Sequence, residues 1–141
     1  MNWCICLKEH IKKVEPDGER IESIKRMCNI RLKVIKNIEI DDETASIIAA
    51  DYYEIIKELL TALLFKNGLK SDNHECLISF FKNKFPRYEY EAKMMHQLKN
   101  VRNRVSYDGV FVKKDYININ QLEFEHIIDL LNKILEEKQM R

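Results

Sequence analysis

Glycine and proline are scarce, with 3 Gly and 2 Pro in 141 residues. That scarcity excludes collagen-like and low-complexity chains. It also argues against an all-β sandwich, whose frequent turns draw on both residues. An excess of one charge sign is missing as well. A net charge of +1 excludes a uniformly basic nucleic-acid coat and leaves room for a local basic patch. No long apolar run occurs: the window Ile55 to Phe65 contains Lys57 and Glu58, whereas a bilayer span needs about 20 apolar residues. The stretch Trp3-Cys4-Ile5-Cys6-Leu7 is too short, and lacks the basic start, for a signal peptide. These absences predict a cytoplasmic protein with no membrane association. Cysteine is sparse: Cys4, Cys6, Cys28 and Cys76 include no C-x-x-C pair. They do not form the framework of a disulfide-stapled secreted domain. They are expected as reduced thiols packed like small apolar residues. No four-ligand zinc spacing, Walker loop, Rossmann glycine motif, H-E-x-x-H or G-x-S-x-G occurs, so neither a metal nor a cofactor is expected.

What the chain does contain is 45% apolar and 33% charged residues, which excludes a disordered protein. Its length fits one domain over residues 1–141. Residues 1–18 read as a short N-terminal helix closed by the turn Pro16-Asp17-Gly18, and residues 19–138 as a helical bundle. From Glu19 to Ile38 apolar residues fall at three-and-four spacing, predicting an amphipathic helix. The acidic start Asp41-Asp42-Glu43 predicts a second helix running to Asn67 and stopped by Gly68. Its apolar set, from Ile47 and Tyr52 to Leu64 and Phe65, is too broad for one buried side, which makes this the central helix or one that also carries an oligomer interface. Ser71-Asp72-Asn73 caps a short helix through Phe81, with Glu75 three residues after Asp72. Phe85-Pro86 breaks it. The next helix starts near Tyr88 with the stripe Met94, Leu98, Val101 and Val105, and Asp108-Gly109 ends it. Val110 to Ile119 reads as irregular or briefly extended. A last helix from Gln121 to Lys138 carries Leu122, Phe124, Ile127, Ile128, Leu131, Ile134 and Leu135. The fold class expected is all-α, an up-and-down bundle of four to five main helices joined by short loops.

Between Lys93 and Lys114 there are six Lys or Arg against one acid, Asp108. Such a patch attracts nucleic-acid or nucleotide phosphates. Within it, Gln97-Leu98-Lys99-Asn100-Val101-Arg102-Asn103-Arg104-Val105-Ser106-Tyr107-Asp108-Gly109 resembles the signature of the HEPN family, small helical bundles of prokaryotic toxin–antitoxin and nucleic-acid-processing systems. That signature is an Arg, usually followed by Asn or another polar residue, with a His four to six residues further on. Arg102-Asn103 matches its start, and Tyr107 stands in the His position. The segment Asp51 to Leu64 resembles the long second bundle helix of archaeal HEPN proteins, and Gly68 to Ile78 the turn and helix after it. The resemblance covers Glu19 to Leu135.

The resemblance implies a homodimer that binds a nucleotide or RNA phosphate, paired with a minimal nucleotidyltransferase. Such a partner transfers AMP to a tyrosine near the motif. Tyr107 is the candidate acceptor, although the family's usual position, two residues beyond the His, is Gly109 here. It also implies metal-independent ribonuclease chemistry in active members: the Arg neutralises the phosphate, a task suited to its planar fork, and the His moves a proton. A phenol with an ordinary pKa of about 10 is a poor substitute for that His. The favoured expectation is therefore a binding module with ribonuclease activity weakened or lost. The alternative is a metal-independent endoribonuclease toxin in which Tyr107, or His74 from elsewhere in the fold, replaces the His. Candidate catalytic residues are Arg102 and Tyr107. Candidate phosphate-binding residues are Arg102, Asn103, Lys99, Arg104, Ser106 and His74. On a helical wheel with Met94 at zero, Arg102 lies at about 80° and borders the apolar stripe, while Tyr107 lies at about 220° on another flank. The two are expected to share a ligand only if the helix unwinds near Tyr107 or a second protomer supplies one of them. His10, His96 and His126 are expected in ordinary packing or exposure, Tyr52 and Tyr53 in core or dimer packing, and Glu123 and Glu125 on a solvated surface.

Overall fold

In a computed structural model, residues 1–137 are described. They form six helices and one two-stranded ribbon: α1 (Trp3–Glu9), β1 (Ile11–Lys13), α2 (Gly18–Lys36), α3 (Ala45–Lys66), β2 (Leu69–Ser71), α4 (His74–Lys84), a 3₁₀ turn (Pro86–Tyr88), α5 (Glu89–Asp108) and α6 (Lys114–Glu136). The expected end of the last helix, Lys138, lies outside the described residues. The chain is mostly helical, and α3 is its axis, packing against α2, α4, α5 and α6. Its broad apolar set accounts for this: Ile48, Tyr52, Ile55, Ile56, Leu59, Leu60, Leu63 and Leu64 are all buried, so over its middle turns only a half-buried polar strip through Asp51, Glu54, Lys57 and Glu58 meets water.

Helix ends follow local chemistry in most places. Asp17 accepts from the Arg20 amide at the start of α2, and Asn73 from the Glu75 and Cys76 amides at the start of α4. The cap of α4 is thus Asn73, not Asp72, and Glu75 is freed for another partner. The acidic run at 41–43 does not open α3 directly. Asp41 accepts from the Glu43 and Thr44 amides, forming a turn, and the helix begins at Ala45. Gly68 ends α3 with a left-handed φ of 71°. A β-carbon there would sit 3.3 Å from the Val14 carbonyl oxygen, because the β1 strand passes alongside. β1 and β2 pair antiparallel, Ile11 opposite Ser71 and Lys13 opposite Leu69.

That ribbon brings the N-terminal segment back over the start of α4, and it overturns the expectation for two cysteines. Cys6 and Cys76 are joined in a disulfide, with their Cα atoms 5.6 Å apart across a sequence separation of 70. The pairing is set by α1 packing on α4, a contact that spacing along the chain does not reveal. Cys4 is free and exposed; Cys28 is free and buried. Burial pushes the Cys28 thiol up to about 12, which leaves it an inert small apolar group as expected.

The segment after α5 also differs from expectation. Gly109, with φ 65°, closes α5. The irregular stretch is short, and α6 starts at Lys114, seven residues before Gln121. Its first amide is capped by Asp42, whose Oδ1 lies 2.8 Å from the Lys114 nitrogen, and Ser46 Oγ accepts from the Val112 amide at 2.7 Å. The cap comes from a residue 72 positions away, so no local sequence signal marks this helix start. At the other end, Lys66 Nζ donates to the last carbonyls of α6, Leu135 and Glu137 among them. Leu122, expected in the apolar stripe of α6, is 79% exposed, and Ile117 is buried instead. Glu125 is not simply solvated, since Tyr52 donates its hydroxyl proton to it at 3.1 Å.

Candidate functional site

The buried face of α5 decides where its cations point. Ala92, Met95, Leu98, Lys99 and Val101 are the buried positions. With Met94 at zero they centre at about 90°, on Met95, rather than on the stripe Met94, Leu98, Val101 and Val105. Arg102, at about 80°, therefore lies in the middle of the face that α5 turns toward α3 and α4, not at its border. Lys99 lies one turn earlier on the same face and is only 7% exposed.

The two cations meet different fates. Lys99 Nζ lies 3.1 Å from Glu75 Oε1, so Lys99 is an internal ion pair and not a free surface cation as expected. The pairing holds the Glu75 carboxyl below its ordinary pKa, chiefly through the hydrogen bond from Lys99. Arg102 has no carboxylate within 4 Å among the described residues. Its guanidinium lies 5.6 Å from the centre of the Tyr53 ring and 5.9 Å from that of Tyr107, both cation–π distances. Among the described residues its one hydrogen bond to protein runs from Nη1 to Asn103 Oδ1, at 3.3 Å. Arg102 and Tyr107 thus share a site within one chain. The helix stays wound through Asp108, so neither the unwinding nor the second protomer expected for their meeting is needed. The length of the arginine side chain closes the gap that the wheel angles open.

His74, the first residue of α4, joins them. Its ring centre lies 6.3 Å from that of Tyr53. Burial first, then the charges of Lys57, Arg102 and Lys99, hold its pKa below the ordinary imidazole value, with Glu54 opposing. The imidazole is therefore neutral near pH 7. Burial pushes the Tyr53 hydroxyl up to about 12, with Arg102 acting against it. Lys57 is paired with Glu54 at 2.7 Å, as Lys99 is with Glu75, so the unbalanced charge of the cluster is that of Arg102. The arrangement presents one guanidinium, one neutral imidazole and two phenols, of which Tyr107 is 74% exposed. It can hold an anion on Arg102 and take a proton on His74.

Of the expected phosphate ligands, Arg102, His74 and Lys99 gather here, with Lys99 neutralised. Arg104 turns to the other flank of α5, where it lines a groove with α6; Asn103 lines that groove too, while its Oδ1 accepts from Arg102. Ser106 is exposed and makes no side-chain hydrogen bond among the described residues. Tyr53, Glu54, Lys57 and Glu75 were not expected at the site. They reach it only through packing between α3, α4 and α5, which no local pattern announces. His10 and His126 approach Asp72 and Glu91 at 3.1 and 3.4 Å. No group of three or more metal-ligating side chains occurs among the described residues, and no helix there is long and apolar enough to cross a membrane. No family model, curated protein or solved structure matches this chain.

Proposed function

We propose that this chain is a HEPN-like up-and-down helical bundle that binds the phosphate of a nucleotide or RNA, with ribonuclease chemistry weakened or lost. In this reading it works as a homodimer beside a minimal nucleotidyltransferase. The observation that carries it is Arg102: a guanidinium on the inward face of α5, flanked by two aromatic rings, with no carboxylate partner among the described residues. A half-buried cation left uncompensated is costly unless something anionic completes it. Tyr107, beside Arg102 and largely exposed, is the AMP acceptor in this reading.

One observation favours the second reading, a metal-independent endoribonuclease toxin of a toxin–antitoxin pair. The position of His74 beside the Arg102 cluster supplies the imidazole that the motif lacks. In that chemistry neutral His74 takes the proton of a ribose 2′-hydroxyl, the 2′-oxygen attacks phosphorus as the bond to the 5′-oxygen breaks, and the 5′-oxygen leaves with a proton drawn from water. The products are a cyclic phosphate and a 5′-hydroxyl end, and Arg102 balances the charge on phosphorus.

Incubation of the purified chain with RNA in EDTA separates the two. Salt-sensitive binding without cleavage, weakened by Arg102→Ala, supports the binding module. Cleavage that disappears in both Arg102→Ala and His74→Ala replaces it with the ribonuclease. RNA and nucleotide binding that Arg102→Ala leaves unchanged overturns both.

A further inference from the structure

The flank of α5 opposite Arg102 faces the first turns of α6 across an open groove of about 700 Å³. A volume of this order suits a small-molecule ligand. Its lining includes the apolar side chains of Met94 and Val101 and four carboxamides, Gln97, Asn100, Asn103 and Asn120. None of the lining residues is a carboxylate, and Arg104 is the one formal charge. Two of the amides are already oriented. Asn120 Nδ2 donates to the Tyr116 carbonyl at 2.8 Å, leaving its Oδ1 free to accept. Asn103 Oδ1 accepts from Arg102, leaving its Nδ2 to donate. The Tyr116 ring, also in the lining, packs on Phe124, 6.0 Å away centre to centre. Gln97 and Asn100 make no hydrogen bond to protein among the described residues.

An aromatic ring and two apolar side chains beside oriented amide donors and acceptors, with no acid, suit a neutral planar heterocycle. We propose that this groove is a nucleobase site that favours adenine. A carboxamide meets adenine with one donor and one acceptor, on the ring nitrogen and the exocyclic amine. The aromatic ring and the apolar side chains take its face. The base belongs to a single-stranded RNA or to a mononucleotide. For the RNA source the inference rests on the phosphate reading above, because Asn103 touches both the groove and Arg102, placing a base on one flank and its phosphate on the other.

The test uses the full chain, isotopically labelled, titrated with adenosine, guanosine, cytidine and uridine in turn. Nucleosides carry no phosphate, so they probe the groove apart from Arg102. Adenosine is expected to shift the side-chain amide resonances of Asn100, Asn103 and Asn120 and to bind more tightly than the other three. Asn100 is exposed and unpartnered, so Asn100→Ala leaves the fold intact, and it is expected to weaken adenosine about tenfold. Arg102→Ala, which frees the Asn103 amide without touching the rest of the groove, is expected to weaken adenosine less than Asn100→Ala does. Absence of shifts in the groove, or equal binding of all four nucleosides, overturns the proposal. Oligoadenylate that binds more tightly than AMP, with the gain lost in Arg102→Ala, supports the site with RNA as its source. AMP matching the oligomer supports it with the mononucleotide. If Arg102→Ala leaves oligoadenylate binding intact while Asn100→Ala weakens it, the groove stands and the phosphate reading falls.

Discussion

The bond between Cys6 and Cys76 closes a loop across a separation of 70 residues, and its removal has a calculable consequence. In the chain-entropy account, a cross-link restricts the unfolded ensemble by an amount that grows with the logarithm of loop length. For a loop of this size the stabilisation is about 4 kcal/mol. A domain of this length loses about 3 °C of Tm per kcal/mol, so the double variant Cys6→Ala/Cys76→Ala is expected to melt about 12 °C lower. Both cysteines are fully buried, so part of the loss also comes from trimming packed sulfur. The assay is calorimetry of the wild-type chain with and without a dithiol reductant, beside the double variant. Thiol counting in denaturant accompanies it. Unreduced wild-type chain should show two thiols, Cys4 and Cys28, and four after reduction. The reductant should lower the Tm of the wild type and leave the variant untouched. The loosening should be local first, with faster amide exchange in α1, which the bond ties to α4. Four thiols in the unreduced chain, or a wild-type Tm indifferent to reductant, would refute the reasoning.

Three further outcomes are expected. His74 has a lowered pKa in the folded chain, so between its native value and the ordinary 6.5 the unfolded chain binds a proton that the native one does not. Stability should fall as pH drops across that window and level off below it, and His74→Gln should flatten that part of a Tm–pH profile. Gly68→Ala should destabilise more than Gly109→Ala. Both glycines have positive φ, but only at Gly68 does a β-carbon crowd a neighbouring carbonyl; equal urea midpoints would contradict that account. Arg102→Met should leave Tm unchanged or slightly raised while abolishing salt-sensitive RNA binding, and a loss of more than about 2 kcal/mol would show the guanidinium to be a structural element.

The fold was legible wherever information was local. Apolar spacing located every long helix, and Gly68 and Gly109 marked two helix ends because a left-handed residue is needed there. What stayed hidden depended on distant partners. The start of α6 is set by Asp42 and the segment before it by Ser46. The disulfide depends on α1 lying over α4. The stripe chosen for α5 was the visible half of a wider face. Ala92 is a weak hydrophobic signal, and a lysine gives none, yet both are buried there. That shift in phase of about 90° moved Arg102 from the edge of the packed face to its centre, and with it the candidate site from the surface of one helix to the junction of three. His74 was among the candidate ligands, but its closeness to Arg102 is a tertiary fact.

Lys99 and Arg102 make the strongest physical case for a ligand, because they form an internal comparison. Both stand on the same face of α5, one turn apart, and both point toward α3 and α4. At Lys99 the fold supplies Glu75 and satisfies the charge. At Arg102 it supplies rings, an amide and a neutral imidazole, with every nearby acid already committed to another cation. A cation–π contact is worth about 0.5–2 kcal/mol, less than a carboxylate would return in the same half-buried place. A sequence shaped for stability alone would place an acid or an apolar residue there. A site that must exchange an anion cannot carry its own, since a resident carboxylate would compete with every incoming phosphate. The missing partner is thus the feature of α5 packing on which the proposed anion binding rests. It also explains why Arg102→Met should remove the proposed binding without harming the fold, whereas Lys99→Met, which leaves Glu75 only the N-terminal ammonium 3.7 Å away, should lower stability.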